Sequence, residues 1–440
     1  MKTIIIFLLP VILLGIVSCD TNEPPVENAE LLLKLEDASC TEAWITLTTT
    51  NLPLPTTVTI KQTNCSGDTK SQILNLSTKD SLLYIDSLLP NECYQYQASS
   101  IENRATSNEL NVTTMDTTSH NFTFETFTFG GNAGSCALYD VAIINENNIW
   151  AVGEIYVADT SINGYTMFNA VHWDGNEWEL KRIKTNACGG VEYPPIQTIF
   201  AFSSNDILFA HIDGSITHYN GIEFINDCSL ITQLNGSANK IWGISKNNFY
   251  VVSGNGFIAH FNGQNWQRIE SGTELNINDI WGDYNEKTSE WEILAVASNI
   301  LQSNEKEVLK INTTATQIIN KEGITGTLSS VWFKSCRKYY VAGGGGVYEN
   351  NSTGNVNWQK SNYSFIRNFL FRLRGTELND IAGAGGYGDV LHFNGDSWKS
   401  YYSDTQLNYG NYYSIAIKDN MIVSVGQDNP YAVIIIGRRN

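Results

Sequence analysis

The chain has 440 residues, room for more than one domain, and a globular composition with 42% hydrophobic and 11% aromatic residues. Only 16% of residues are charged, so Asn, Ser, Thr and Gln carry much of the polarity. With 45 acidic against 27 basic residues the formal charge is −18, and no basic stripe interrupts it, which argues against a nucleic-acid partner and fits an extracytoplasmic surface.

The N-terminus reads as a targeting segment. Lys2 supplies a positive start, and residues 4–16 form an apolar run too short for a comfortable membrane span. It ends in Ile16-Val17-Ser18-Cys19, which resembles the bacterial lipobox. That resemblance implies a signal peptide over 1–18 and a diacylglyceryl-modified, N-acylated Cys19 as the mature N-terminus. Several acyl chains would anchor the protein firmly, each buried methylene contributing about 0.8 kcal/mol. Residues 19–29, rich in Asp, Glu, Asn and Pro, read as a short acidic tether. The expected location is the bacterial cell envelope, lipid-anchored at the outer membrane or cell surface.

Residues 30–116 carry alternating β-rich runs at 43–50, 57–63, 82–85, 94–99 and 109–114. Within them, Leu88-Leu-Pro90-Asn-Glu-Cys-Tyr94-Gln-Tyr96-Gln-Ala98 resembles the L-x-P-x-T-x-Y stretch of fibronectin type III modules, with Glu92 in place of the Thr. The resemblance implies a β-sandwich in which Tyr94 forms the tyrosine corner. Cys40, Cys65 and Cys93 would fall at strand ends at one end of it, leaving Cys65–Cys93 and Cys40–Cys93 as candidate bridges.

From 121 onward a repeat governs. His172-Trp-Asp-Gly175, His218-Tyr-Asn-Gly221, His260-Phe-Asn-Gly263 and His392-Phe-Asn-Gly395 lie 46, 42 and 132 residues apart, Gly to Gly, and 132 is three times 44. Asp-Gly or Asn-Gly between β-rich runs marks a hairpin turn. A period in the forties with strand-turn-strand content predicts a β-propeller. Inner strands are expected at 140–143, 198–202, 240–244, 279–281, 330–333, 368–372 and 413–417, which makes seven units. The last unit has three strands. Before the first lies an orphan run, Phe122-Thr-Phe-Glu-Thr-Phe-Thr-Phe129, expected to supply its fourth strand and close the ring. The expected fold is therefore all-β, a fibronectin type III-like sandwich followed by a seven-bladed β-propeller over 121–440, similar to the sialidase and kelch superfamily without matching one enzyme family.

The phrase histidines sit too far apart to share a metal, and are expected to bond backbone beside their turns. His211, at a loop bordering the central opening, is the histidine placed for function. Cys136 and Cys188 occupy equivalent positions ahead of the first two units and form the expected inter-unit bridge, with Cys188–Cys228 as the alternative; Cys336 is unpartnered in this reading. No CxxC, Gly-x-Ser-x-Gly or phosphate loop in strand-to-helix context occurs, and Arg367, Arg372 and Arg374 cluster on one segment instead of forming a sialidase-like trio. No metal or cofactor is expected.

Function is expected where the repeat is interrupted. The insertion 154–169 carries Glu154, Tyr156 and Tyr165, and the loop 188–195 carries Glu192 and Tyr193. Tyrosines with carboxylates around a funnel suit a sugar or peptide. The reading is a monomeric envelope binding or scaffold protein whose face takes a glycan or protein. The rival is a carbohydrate-active enzyme, a glycoside hydrolase or polysaccharide lyase, which would need a close carboxylate pair drawn from Glu154, Glu192, Asp213 and Asp428.

Overall fold

A computed structural model describes residues 29–440 apart from 103, 186, 187, 189, 235, 300–304, 355 and 362–367. The expected signal peptide, Cys19 and all but the last residue of the tether lie outside the described residues. The chain forms two compact units, one on residues 29–36, 45–83 and 93–112, the other on 37–44, 84–92 and 113–440.

The first unit is built on two sheets. Glu30–Ala38, Ala43–Thr50 and Asp80–Ile85 form one; Thr69–Leu76, Thr56–Asn64, Cys93–Ser100 and Ala105–Thr106 form the other, with Leu110–Thr113 also pairing on Cys93–Ser100. Cys93–Ser100 alternates strictly, which puts Tyr94, Tyr96 and Ala98 inside with Val58, Ile60 and Val112. Cys65 and Cys93 form a disulfide, Cα to Cα 5.6 Å. They are brought together because Asn64 and Tyr94 are register partners on adjacent strands. Cys40 is a buried free thiol, so the Cys40–Cys93 alternative falls.

In the second unit, seven four-stranded antiparallel sheets follow one another. The strands of the first are Ala137–Asn145, Asn148–Ala158, Tyr165–Trp173 and Trp178–Lys181, hydrogen-bonded in chain order from inside to outside. The inner strands of the next six are Ile196–Ser203, Ala238–Ser245, Ile277–Asn285, Leu328–Lys334, Leu370–Glu377 and Gly410–Lys418. Each packs on the next and the last on the first, so the sheets close into a ring. The fourth strand of the seventh sheet is Phe122–Phe129, which pairs along its length with Tyr431–Arg439.

Each sheet is sandwiched between two others, and its second strand is covered on both faces. These strands therefore read as continuous apolar runs, such as Leu294-Ala-Val-Ala297, and not as alternating ones. The outermost strands face water on one side and alternate, as Phe122–Phe129 does. A hydrophobic cluster fills every gap between consecutive sheets; Val152, Ile199 and Phe209 fill that between the first and second, and Leu138, Val423 and Ile434 that between the first and seventh.

The repeated phrase is a turn with a fixed set of bonds. Gly175, Gly221, Gly263 and Gly395 have φ of 100°, 90°, 92° and 98°, a region in which a Cβ is strained. The residue before each Gly accepts the N–H groups two and three positions on, as Asn262 does from Gln264 and Asn265. The histidines do not bond backbone. His172, His218, His260 and His392 each place Nε2 within 2.6–3.0 Å of Asn148, Asp206, Asn248 and Asp380, the first residue of the neighbouring second strand. The side chain reaches this carboxamide or carboxylate because backbone groups there are already spent on the ladder.

The expected Cys136–Cys188 bridge is not formed. Cys188 pairs with Cys228, Cα to Cα 5.3 Å, and closes the ends of the second sheet's loops. Cys136 is a buried thiol in the cluster between the first and seventh sheets, where Tyr156 N–H donates to its Sγ over 3.2 Å. Equivalent places in the repeat did not become neighbours, because Cys136 turns into the core and Cys188 lies in a loop.

Candidate functional site

Each inner strand skips one residue of register near its start. The skipped residues are Tyr139, Gln197, Asn239, Asn278, Ser329, Phe371 and Tyr413, one from every sheet. A bulge at a fixed place re-aims its side chain, and here seven aim at the same place. Together with Arg372 they line a cavity of about 300 Å³ at the centre of the ring. Phe371 and Tyr413 meet edge to face at 5.5 Å, and Tyr139 and Tyr413 lie 6.2 Å apart, so aromatics form one wall. Gln197, Asn239, Asn278 and Ser329 form the other. Asn239 Nδ2 donates to Ile277 O, and Asn278 Nδ2 donates to Leu328 O and Ser298 O; no described group donates to their Oδ1 atoms.

The residue after each bulge faces inward beneath this mouth, and there the sequence places Asp140, Thr198, Lys240, Asp279, Ser330, Arg372 and Ser414. They form a buried polar belt. Asp140 accepts from Thr198 Oγ1 (2.7 Å), Ile199 N (3.0 Å), Lys240 Nζ (2.5 Å) and Ser414 Oγ (2.7 Å), tying four sheets together. Asp279 accepts from Ser330 Oγ, Val331 N, both terminal nitrogens of Arg374 and Arg372 Nη1. Burial alone would raise the Asp140 carboxyl. Lys240, Arg372 and the Thr198 hydroxyl outweigh it and hold it at about 2. Burial would raise Asp279 too, but Arg372 and Arg374, with Lys240 beyond them, hold it well below the usual carboxylate range. Burial, with Arg372 and Arg374 alongside, brings the Lys240 ammonium down to about 8 against the pull of Asp140.

The residues expected from sequence distribute around this mouth unequally. Glu154 reaches it: its carboxylate accepts from Tyr139 Oη over 2.6 Å and from Tyr156 Oη over 2.9 Å. Burial and the Glu154 bond push Tyr139 up, and push Tyr156 up to about 12, so both hydroxyls stay protonated donors. Tyr165 packs edge-on against Tyr156, centroids 5.3 Å apart. Tyr193 carries the Arg182 guanidinium 3.7 Å above its ring, and exposed Glu192 pairs with Lys184. Arg182 Nε also bonds Met167 O, and Met167 is the register partner of Tyr156, so the two expected loops converge on one end of the first sheet.

His211 is corrected. It is fully buried at the end of its strand, 2.9 Å from Thr217 Oγ1 and 3.4 Å from Pro194 O. Burial drives it to about 4, a neutral core histidine closed to ligand. The carboxylates an enzyme would pair are dispersed. Asp213 caps Ser215, Asp428 accepts from Tyr409 N, Glu192 is paired with a lysine and Glu154 with two tyrosines. Sequence reasoning aligned the inner strands yet passed over the mouth. The signal was there, seven in-phase residues each followed by a hydroxyl or charged residue, with Arg372 among them.

No protein-family model matches the sequence, and comparison with curated proteins finds no relative. Solved structures do resemble it. YCF48 bound to D1 peptide matches with a TM-score of 0.53 at 16% identity, over 72% of this chain and 97% of the other. The WD40 β-propeller domain of Doa1 gives 0.48 at 10% identity over 72% and 97%. A catalytically inactive virginiamycin B lyase from Staphylococcus aureus, with quinupristin, gives 0.49 at 7% over 71% and 99%. At these identities the likeness to YCF48 is one of fold, and with the closed ring of four-stranded sheets described above the fold is that of a β-propeller.

Proposed function

We propose that this chain is a lipid-anchored cell-envelope binding protein whose propeller presents its central mouth to a peptide segment of a protein partner. In this reading the seven sheets are seven blades, closed by 122–129. Residues 30–116 are a fibronectin type III-like spacer, and Cys19 is the lipidated N-terminus. The observation that carries the binding role is the mouth itself, where seven bulges from seven sheets converge on one small cavity of aromatic rings and amide acceptors. Such a lining suits recognition, and the carboxylates Glu154, Glu192, Asp213 and Asp428 are each taken up by separate partners instead of facing one another as a pair. The solved YCF48 structure holds a peptide, which agrees with a peptide ligand without assigning one.

The test is a parallel screen of the purified protein against peptide and glycan arrays and polysaccharide substrates. Peptide binding without turnover supports the reading. Degradation of a polysaccharide would return the carbohydrate-active enzyme, and glycan binding alone would replace the partner. Mass spectrometry of the mature N-terminus checks the anchor; a free amine at any residue other than Cys19 would remove it.

A further inference from the structure

The belt beneath the mouth is unbalanced. It buries two carboxylates, Asp140 and Asp279, against three cations, Lys240, Arg372 and Arg374. A buried charge without a counter-charge is costly. Of the three cations, Lys240 is held by Asp140, and Arg374 by both oxygens of Asp279. Arg372 shares Asp279 with Arg374, its Nη1 2.6 Å from Oδ1, so the belt holds one cation more than it has carboxylates. Arg372 is nine-tenths buried, and its described contacts, Asp279 Oδ1 and Asn278 O, both run through Nη1. Its Nε has no described partner, and among the described residues it is the one charged side chain lining the cavity.

Resting on the peptide-binding reading above, we propose that the central mouth is a carboxylate site that receives the C-terminal carboxylate of a peptide on Arg372. The guanidinium is a planar fork suited to a carboxylate. The cavity lies at the small end of the range for ligand pockets, room for a chain end and not for a chain passing through. Around it, Asn278 has given both amide hydrogens and Asn239 one of its two to neighbouring carbonyls, and both present Oδ1 acceptors. A peptide terminus offers the matching set, a carboxylate for the arginine and N–H groups for the amides. Tyr139, Phe371 and Tyr413 supply an apolar wall for the last side chain. The bound anion brings the belt to three charges of each sign.

The experiment uses the full chain in detergent micelles and a random hexapeptide library synthesised twice, as free acids and as C-terminal amides. Free acids are expected to bind at least about tenfold more tightly than the matching amides. The variant R372Q, which leaves Arg374 on Asp279, is expected to bind both forms alike, at the amide level of the parent. Equal binding of acids and amides by the parent protein overturns the carboxylate site and leaves the peptide reading standing. An acid preference that survives in R372Q overturns the role of Arg372. If neither library binds but a uronate oligosaccharide does, both the peptide reading and this proposal fall. Because the acid–amide comparison is made on the parent protein, it stands even if R372Q does not fold.

Discussion

Replacing Asp140 by Asn is expected to be among the most damaging single changes in the chain. The side chain is 1% exposed and receives four donors from three other sheets. Asparagine keeps the shape and one acceptor oxygen, but it removes the charge opposite Lys240 and puts an amide nitrogen where either Ser414 or Thr198 needs an acceptor. Breaking a buried ion pair from one side costs about 3–5 kcal/mol, because the remaining charge stays buried. The lost hydroxyl bonds overlap with that figure and are not added to it. Equilibrium denaturation followed by tryptophan fluorescence measures the change. D140N/K240M removes the orphan ammonium as well and should recover about half of the loss. A pH signature accompanies it. The Asp140 carboxyl is held at about 2 in the folded chain, below the unfolded value of about 3.9. Its contribution is thus present above about pH 4 and is lost as pH falls toward 2, and D140N should lack that part of the acid slope. A loss under about 1 kcal/mol in D140N, or a double variant no more stable than the single, would refute the belt as a charged structural tie.

Three further outcomes follow from the described contacts. C188A/C228A opens a loop of sequence separation 40 and should lower stability by about 4 kcal/mol under non-reducing conditions, with no change in reduced protein. In native protein Cys336, half-buried, should react with a thiol reagent, whereas Cys136 and Cys40 should react only on unfolding; early labelling of Cys136 would contradict its place in the core. H260A removes a 2.8 Å bond to Asn248 and a stacked contact with Tyr250 at 4.3 Å, and should cost about 1–2 kcal/mol by thermal denaturation without affecting any ligand.

The repeat period and its turns are properties of short stretches of chain, and they were legible without coordinates. Asp-Gly and Asn-Gly dictate positive φ at Gly175, Gly221, Gly263 and Gly395 through sterics alone, and the alternation of 122–129 marks a strand half in water. The same local reading misjudged what depends on neighbours from elsewhere. His211 was expected at an opening, but Thr217 and Pro194 close over it. Cys136 and Cys188 hold equivalent positions in the repeat, yet one turns into a core shared with the seventh sheet and the other lies in a loop facing Cys228. The mouth is the strongest case. Tyr139 and Tyr413 are 274 residues apart, and Asp140 meets Ser414 and Lys240 only because the ring closes. The sequence by itself determined the spacing of sheets, the turn chemistry and the separation of the phrase histidines, because hydrogen-bonded hairpins and apolar periodicity act over tens of residues. Tertiary structure decided which bulges converge, which cysteines meet and where the surplus arginine lies, because those depend on the closure of seven sheets around one axis.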